Sequence, residues 1–369
     1  MDQATTSSTP RDLGEMTAIR FFAALYVVLF HAYDSLPALY AWDSGLIRNG
    51  YLGVDLFFIL SGVILTHVNL HRVRAGTFRF RDFMIHRLAR IYPLHLVMFL
   101  AFVALYAGAG RAGLLQDAEG RNWGYAAQHL LLLHAWGTTG SVAWNGPSWS
   151  ISAEFFAYLS FPLYLILVRR WRPLPGLAVA VGVFALFWLA SPLFDAARLT
   201  QRSYDFGILR IVPEFLIGVF LYMAIRQTCD RVRPKARVIR PVITISILTY
   251  LAAAHADLPD PVLILILAVL IFVLGVNAFG SQGNLMRHPA LVYLGEISYS
   301  TYMVHYIFLV VAEGLASKLF GTPAFPLWYW GGTIAAIYLA SVVSYHLIEL
   351  PARRFIRARA TPHPAAVPG

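Results

Sequence analysis

Two ionisable residues lie in the first long apolar segment of the chain, Arg20 and His31, which are eleven positions apart. On an α-helix they return to within roughly 20° of the same face and are separated by about 16.5 Å along the axis. Ionisable groups inside apolar spans are functional by default, and neutral imidazole is suited to general-base chemistry near neutral pH. Two structural alternatives stay open: Arg20 as a snorkelling anchor, and His31 as a histidine hydrogen-bonded to a neighbouring helix.

Four further charged residues fall at about the same predicted depth as His31, in three later apolar segments. They are Asp55 in the second segment, Glu154 in the fourth, and Arg210 and Glu214, one turn apart, in the sixth. A carboxylate beside an imidazole orients the ring and stabilises the imidazolium that forms during catalysis. We expect Glu154, or as second choice Asp55, to do this for His31. A structural lattice of ion pairs would use the same residues.

A basic cluster is predicted at the other end of the same helices. Arg87 and Arg90 begin the third apolar segment one turn apart, and with Arg20 they form three guanidinium groups that can bind phosphate bidentately. Positive-inside anchoring explains the same arginines. Tyr302 and His305 share a helix face in the ninth segment, where they are candidate supporting residues or a hydrogen-bonded core pair.

The elements that must position these residues are transmembrane helices. Hydrophobic residues make up 58% of the 369 and charged residues 13%, against about 45–50% and about 25% in soluble proteins. Apolar segments of spanning length predict an all-α polytopic membrane protein, a single bundle of about ten helices. The ten segments are roughly 16–37, 51–69, 88–108, 148–168, 176–193, 207–225, 238–255, 261–280, 296–316 and 326–348. The short apolar stretch from Tyr125 to Trp136 is predicted to be interfacial or re-entrant.

The charge distribution predicts the orientation of this bundle. The net charge is +10, and the large majority of the 29 lysine and arginine residues fall on one side when the loops alternate. The positive-inside rule then places both termini in the cytoplasm and explains the basic charge without nucleic acid. The predicted parts are a disordered N-terminus (1–15), a transmembrane domain (16–355) and a disordered tail (356–369).

Several kinds of chemistry have no motif in this sequence. The single cysteine, Cys229, excludes an internal disulfide and a cysteine-based metal cluster. The sequence contains no Walker A loop, no GxGxxG, no HExxH and no zinc-ligand spacing. We therefore expect no metal ion, no dinucleotide and no permanently bound cofactor.

Taken in order, the motifs resemble those of the membrane-bound acyltransferase 3 family, bacterial enzymes that O-acylate sugars and related acceptors. The matching segments are Arg20 with His31, Gly53 to Gly62 (GVDLFFILSG), Arg87 to Pro93 (RLARIYP), Ser148 to Glu154 (SWSISAE), Ser298 to His305 (SYSTYMVH) and Glu349 to Pro351 (ELP). The resemblance implies ten spans, acyl-CoA as a co-substrate taken from the cytoplasm, an acceptor at the periplasmic face, and a place in the bacterial inner membrane.

The sequence thus favours an O-acyltransferase that moves an acyl group, expected to be acetyl, to a hydroxyl of an exported polysaccharide or its lipid-linked precursor. In this interpretation His31 is the base, with Glu154 and Asp55 beside it, and Arg20, Arg87 and Arg90 bind the donor. An acyl-histidine intermediate is a variant of this mechanism. Two alternatives stay open: O-acylation of a small molecule such as a macrolide, and a transporter or flippase of a polar ligand.

Overall fold

Ten long helices form the body of the computed structural model. The structure describes residues 13–35, 44–111, 122–193, 198–232, 235–280, 284–321 and 326–360. The helices are α1 (Gly14–His31), α2 (Gly53–Arg74), α3 (Phe80–Arg111), α4 (Trp149–Arg170), α5 (Pro173–Ala190), α6 (Ile208–Arg231), α7 (Ala236–His255), α8 (Asp260–Phe279), α9 (Ser298–Phe320) and α10 (Leu327–Ser344). Within these ranges there is no β-strand, and ten helical segments are long and apolar enough to span a membrane. The predicted all-α bundle is confirmed.

Several boundaries differ from the predicted ones. Helix α1 ends at His31, whereas the predicted segment extended to 37; a separate short helical turn, Tyr33–Ser35, follows it. The predicted disordered ends are partly helical: α1 begins at Gly14, and a terminal helix, Leu350–Ala360, includes the first residues assigned to the tail. Residues 1–12 and 361–369 lie outside the described part of the chain. The stretch from Tyr125 to Trp136 forms only short helical turns, so it does not span.

The centre of the bundle is the crossing of α2 with α6. Gly62 and Gly218 face each other there, and a Cβ atom at either position would collide with a backbone carbonyl of the other helix, that of Phe215 or of Ile59. Small residues allow helix backbones to approach closely inside a membrane. This contact fixes the depth of α2, which carries Asp55 and Ser61, against α6.

The two ends of the bundle differ in charge. The basic end, as we call it, is the end where α1 begins, and it carries exposed basic residues such as Arg79, Arg169 and Lys235. At the opposite end Tyr51 donates to Asp260 (2.6 Å), and Thr200 also donates to Asp260 (2.5 Å). These bonds join the starts of α2 and α8 to the loop before α6.

The orientation of the bundle is testable by cysteine labelling. In a Cys229→Ser background, a cysteine at Asp257 should react with a membrane-impermeant thiol reagent added to intact cells, whereas cysteines at Arg79 and Lys235 should not. All three positions are exposed in the folded chain, so protection has to come from the membrane. Reaction at Arg79 in intact cells would reverse the predicted orientation. Asp43 and Glu119, which the alternation of loops predicts on the same side as Asp257, lie outside the described residues.

Candidate active site

Three of the predicted arginines line one cavity of about 250 Å³ inside the basic half of the bundle. Arg20 reaches it from α1, and Arg87 and Arg90 reach it from the first turns of α3. Arg357 of the terminal helix also lines this arginine cavity, and Glu154 of α4 is the acidic residue in its wall. Arg20, Arg87 and Arg90 therefore lie together, as the sequence predicted.

The three arginines have few protein partners. None of Arg20, Arg87 and Arg90 forms an ion pair within 4.0 Å among the described residues, and the buried Nε of Arg87 has no hydrogen-bond partner there. The carboxylates of Glu154 and Glu349 attract these guanidinium groups from beyond ion-pair distance, but they number two against three. Half-buried guanidinium groups with a net positive charge around a cavity are suited to an anionic ligand such as a phosphate.

A second cavity, of about 390 Å³, lies nearer the opposite end and contains His31. We call it the histidine pocket. Most of its other lining groups can donate or accept hydrogen bonds or offer an aromatic face. They include Tyr51, Trp149, Thr200, Gln201, Ser203, Arg210 and Tyr302. Such a lining is suited to a ligand rich in hydroxyl groups.

The ring of His31 contacts a second histidine, His305 of α9. The Nδ1 atom of His31 lies 3.0 Å from the carbonyl oxygen of Val27 and 3.2 Å from Nε2 of His305. The Nδ1 atom of His305 lies 2.6 Å from the carbonyl oxygen of Tyr302. The predicted face shared by Tyr302 and His305 therefore points towards His31.

These contacts determine which nitrogen of each ring carries the proton. A carbonyl oxygen only accepts, so the Nδ1 atoms of both His31 and His305 must be donors. In the neutral ring the other nitrogen is then an acceptor. The single Nδ1–H of His31 is shared between the carbonyl oxygen of Val27 and Nε2 of His305, and Nε2 of His31 is left with its lone pair. His31 is therefore in the tautomer that acts as a base through Nε2.

Tyr302 and Val54 belong to both cavities. The Tyr302 hydroxyl donates to the carbonyl oxygen of Pro147 and accepts from Ser150, each at 2.8 Å. These bonds hold the ring between the arginine cavity and the histidine pocket. The two cavities are therefore adjacent, with the side chains of Val54 and Tyr302 lining both.

The prediction that Glu154 or Asp55 contacts His31 is wrong, because both carboxylates have other partners. Glu154 lies about one and a half turns into α4, and its carboxylate faces the arginine cavity and accepts from Ser61 at 2.8 Å. Asp55 is occupied by Arg210, which binds both carboxylate oxygens. Among the described residues, the polar contacts of the His31 ring are those to Val27 and His305.

Asp55 and Arg210 form a buried pair between α2 and α6. The Nε atom of Arg210 lies 3.0 Å from Oδ1 of Asp55, and Nη2 also donates to the carbonyl oxygen of Tyr51 at 3.1 Å. Glu214 is fully buried one turn further along α6. One ion pair of the lattice left open by the sequence therefore exists here, but it does not extend to Glu214, whose carboxylate oxygens have no hydrogen-bond partner in the described part of the chain. Arg210 also lines the histidine pocket.

The loop before α4 is packed against α3 by stacked histidines. The rings of His129 and His134 stack with their centroids 3.9 Å apart, and Nε2 of His95 donates to the carbonyl oxygen of His129 at 2.9 Å. Burial, and secondarily the nearby ring of His95, lowers the pKa of His129 to about 3, so its ring is neutral at physiological pH. His134 contacts Ser148 (3.1 Å), which links the loop to the start of α4.

Sequence reasoning missed three side chains of the arginine cavity. Tyr158 lies one turn after Glu154, Ser61 lies within a glycine-containing motif, and Arg357 follows the tenth span. Helical spacing from Glu154 would have found Tyr158. Arg357 carried no such signal, because four arginines lie close together in the terminal helix and any of them is consistent with surface anchoring.

Comparison with known proteins identifies a family. A family model described as an acyltransferase domain matches residues 13–345. The chain is 29% identical over 332 residues to acyltransferase MdmB of Streptomyces mycarofaciens, covering 82% of this chain and 80% of that protein. It is 23% identical over 379 residues to peptidoglycan O-acetyltransferase OatA of Listeria monocytogenes, covering 95% of this chain but only 57% of that protein. No solved structure matches.

Proposed function

Because the chain belongs to this acyltransferase family, we propose that it moves an acetyl group from cytoplasmic acyl-CoA to a hydroxyl of an exported polysaccharide or its lipid-linked precursor. The name of the Listeria relative, a peptidoglycan O-acetyltransferase, supports a carbohydrate acceptor. The polar and aromatic lining of the histidine pocket is also suited to one. Ten apolar spans make the protein an integral membrane protein, and we assign it to a bacterial inner membrane.

The observation that carries this proposal is the contact between two chemically different cavities. The arginine cavity is suited to the phosphates of a coenzyme A thioester, and the histidine pocket is suited to a hydroxyl acceptor. The thioester would reach the base past Val54 and Tyr302. Arg20 and His31 are separated by about 16.5 Å along α1, similar to the length of an extended pantetheine arm.

The proposed reaction is a direct transfer with His31 as general base. The acceptor hydroxyl gives its proton to Nε2 of His31 while its oxygen forms a bond to the thioester carbonyl carbon. The carbon–sulfur bond then breaks, and the thiolate of coenzyme A takes the proton back from Nε2. The products are an ester and free coenzyme A, and His31 returns to its starting tautomer.

In this mechanism His305 takes the part that we predicted for Glu154 or Asp55. Its Nε2 atom accepts from Nδ1–H of His31, so it orients the ring and stabilises the imidazolium that forms during transfer. The neutral acceptor is weaker than a carboxylate, but it avoids an uncompensated negative charge in an apolar environment.

A matched pair of variants tests the role of His305. Glutamine can keep an acceptor atom near the position of Nε2, whereas asparagine is too short to reach it. We expect His305→Asn to lower kcat about 10-fold, the value of a lost hydrogen bond of about 1.4 kcal/mol, with little change in the KM for acetyl-CoA. His305→Gln should recover most of kcat. Equal activity of both variants would show that the contact with His31 has no part in transfer.

The assay that separates transfer from transport is the release of free coenzyme A. Purified protein in detergent should release thiol from acetyl-CoA when a soluble peptidoglycan fragment is added, and much less without it. A transporter of a polar ligand would leave the thioester intact. Absence of thiol release with every hydroxyl acceptor tried, including small-molecule macrolides, would contradict the proposed activity.

A further inference from the structure

A second basic cleft lies at the basic end of the bundle, outside the site described above. It is formed by the last turns of α2 and α6 and has a volume of about 1190 Å³. Four arginines line it: Arg72 and Arg74 from α2, and Arg226 and Arg231 from α6. Asp230 is the acidic residue in its lining, so the cleft has a large excess of positive charge.

One of these four arginines, Arg226, is held in place by contacts with neighbouring side chains. Arg226 is only about a quarter exposed, and its guanidinium group lies over the ring of Phe279, 5.3 Å from the centroid. The ion pair with Asp230 is loose, at 3.8 Å, and the Asp230 carboxylate is mostly exposed. A cation held by an aromatic ring and weakly paired with an exposed carboxylate remains attractive to an anion.

The arginine cavity is too small to hold a whole coenzyme A thioester. Pockets for drug-sized ligands measure about 300–1,000 Å³, and a coenzyme A thioester is larger than most such ligands. The arginine cavity, at about 250 Å³, is smaller than this range and therefore too small to enclose the whole donor. The nucleotide end has to lie outside that cavity.

The cleft is next to the arginine cavity. Val68 of α2 lines both spaces and is 41% exposed, so the two meet at the surface of α2 near the basic end. His67 and Tyr222 also line the cleft, and their rings lie 5.6 Å apart, which adds aromatic surface to the guanidinium groups. Arginine and aromatic side chains together are typical of sites that bind phosphate and a base.

We propose that this cleft binds the 3′-phosphoadenosine end of acyl-CoA, while Arg20, Arg87 and Arg90 hold the diphosphate. The inference rests on the proposed function for the identity of the donor. It goes beyond it in assigning Arg72, Arg74, Arg226 and Arg231 to a separate nucleotide subsite. No bond is made or broken here, so the cleft should affect donor affinity and not the rate of the chemical step.

A comparison of acetyl-CoA with acetyl-pantetheine, which lacks the nucleotide, distinguishes a nucleotide subsite from a general effect of positive charge. The variant is Arg72→Gln/Arg74→Gln, whose residues are exposed, and the matched control is Arg237→Gln/Arg240→Gln, which removes the same charge elsewhere at the basic end. We expect the first variant to raise the KM for acetyl-CoA about 10-fold with kcat unchanged, and to leave transfer from acetyl-pantetheine as in the wild type. The control should match the wild type with both donors. An unchanged KM for acetyl-CoA, or an equal loss with acetyl-pantetheine, would overturn the subsite.

A binding measurement tests the nucleotide subsite independently of acetyl transfer. Adenosine 3′,5′-bisphosphate should bind to the wild type and the control by calorimetry, and about 10-fold more weakly to Arg72→Gln/Arg74→Gln and to Arg226→Gln. Equal binding to all four would overturn the subsite even if transfer occurs. An anionic lipid is the other source of phosphate: if phosphatidylglycerol in nanodiscs displaces the bisphosphate from wild type and phosphatidylcholine does not, the cleft is a lipid site and the nucleotide assignment is wrong.

Discussion

Replacement of His31 by alanine should lower the rate of acetyl transfer at least about 100-fold, while acetyl-CoA affinity stays unchanged. The alanine variant lacks the nitrogen that takes the proton of the acceptor hydroxyl, a group whose own pKa is too high for ionisation at neutral pH. Donor binding should be retained, because the arginines that bind the donor line a different cavity from the pocket that contains His31. The measurement is single-turnover transfer in parallel with acetyl-CoA binding.

A histidine outside the site provides the control for this variant. His255 is exposed at the end of α7 and contacts Ser44 at 2.8 Å, so His255→Ala removes an imidazole from the same end of the bundle without touching the pocket. It should transfer acetyl at the wild-type rate. Near-normal transfer by a folded His31→Ala protein would remove His31 from the mechanism and make His305 the next base to test.

Loss of Arg87 or Arg90 should weaken acetyl-CoA binding by about 1.5–3 kcal/mol each, the usual value of a charged hydrogen bond. This corresponds to roughly a 10- to 150-fold rise in Kd. The effect should appear in donor affinity, because these groups contact phosphates and not the reacting carbonyl. Arg20→Ala should behave in the same way. The measurement is direct titration of acetyl-CoA into purified single variants.

Arg81 provides the control for these arginines. It is on α3, like Arg87 and Arg90, but it is exposed at the basic end and does not line the cavity. Arg81→Ala should bind acetyl-CoA as the wild type does. If Arg87→Ala and Arg90→Ala also bind it with unchanged affinity, both residues serve only to anchor the topology.

The ten spans and the arginine cavity could be predicted because each follows from a local property of the sequence. Apolar segments of spanning length predict the helices. The one-turn spacing of Arg87 and Arg90 near the start of α3 predicts that they lie on the same helix face. Arg20 joins them because it lies near the basic end of α1. The common depth of these three residues could be predicted, whereas their meeting in one cavity also depends on how α1 packs near α3.

The partner of His31 could not be predicted, because it depends on how distant helices pack. His305 is 274 positions away, and its position opposite His31 depends on the depth of α9, which is preceded by the short helix Pro289–Glu296. The same uncertainty in depth put Glu154 beside His31, whereas it lies in the arginine cavity. An error of one or two turns along a helix is enough to exchange one partner for another.

The central claim, transfer between two separate cavities of one bundle, is tested most directly in sealed vesicles. Purified protein is reconstituted with a soluble peptidoglycan fragment trapped inside, and acetyl-CoA carrying different labels on its acetyl and coenzyme A parts is added outside. The account predicts that the acetyl label appears on the trapped fragment while the coenzyme A label stays outside, and that with His31→Ala vesicles both labels stay outside. Entry of both labels would indicate transport, and an acetylated fragment only when acceptor and donor share one side would contradict transfer across the bundle.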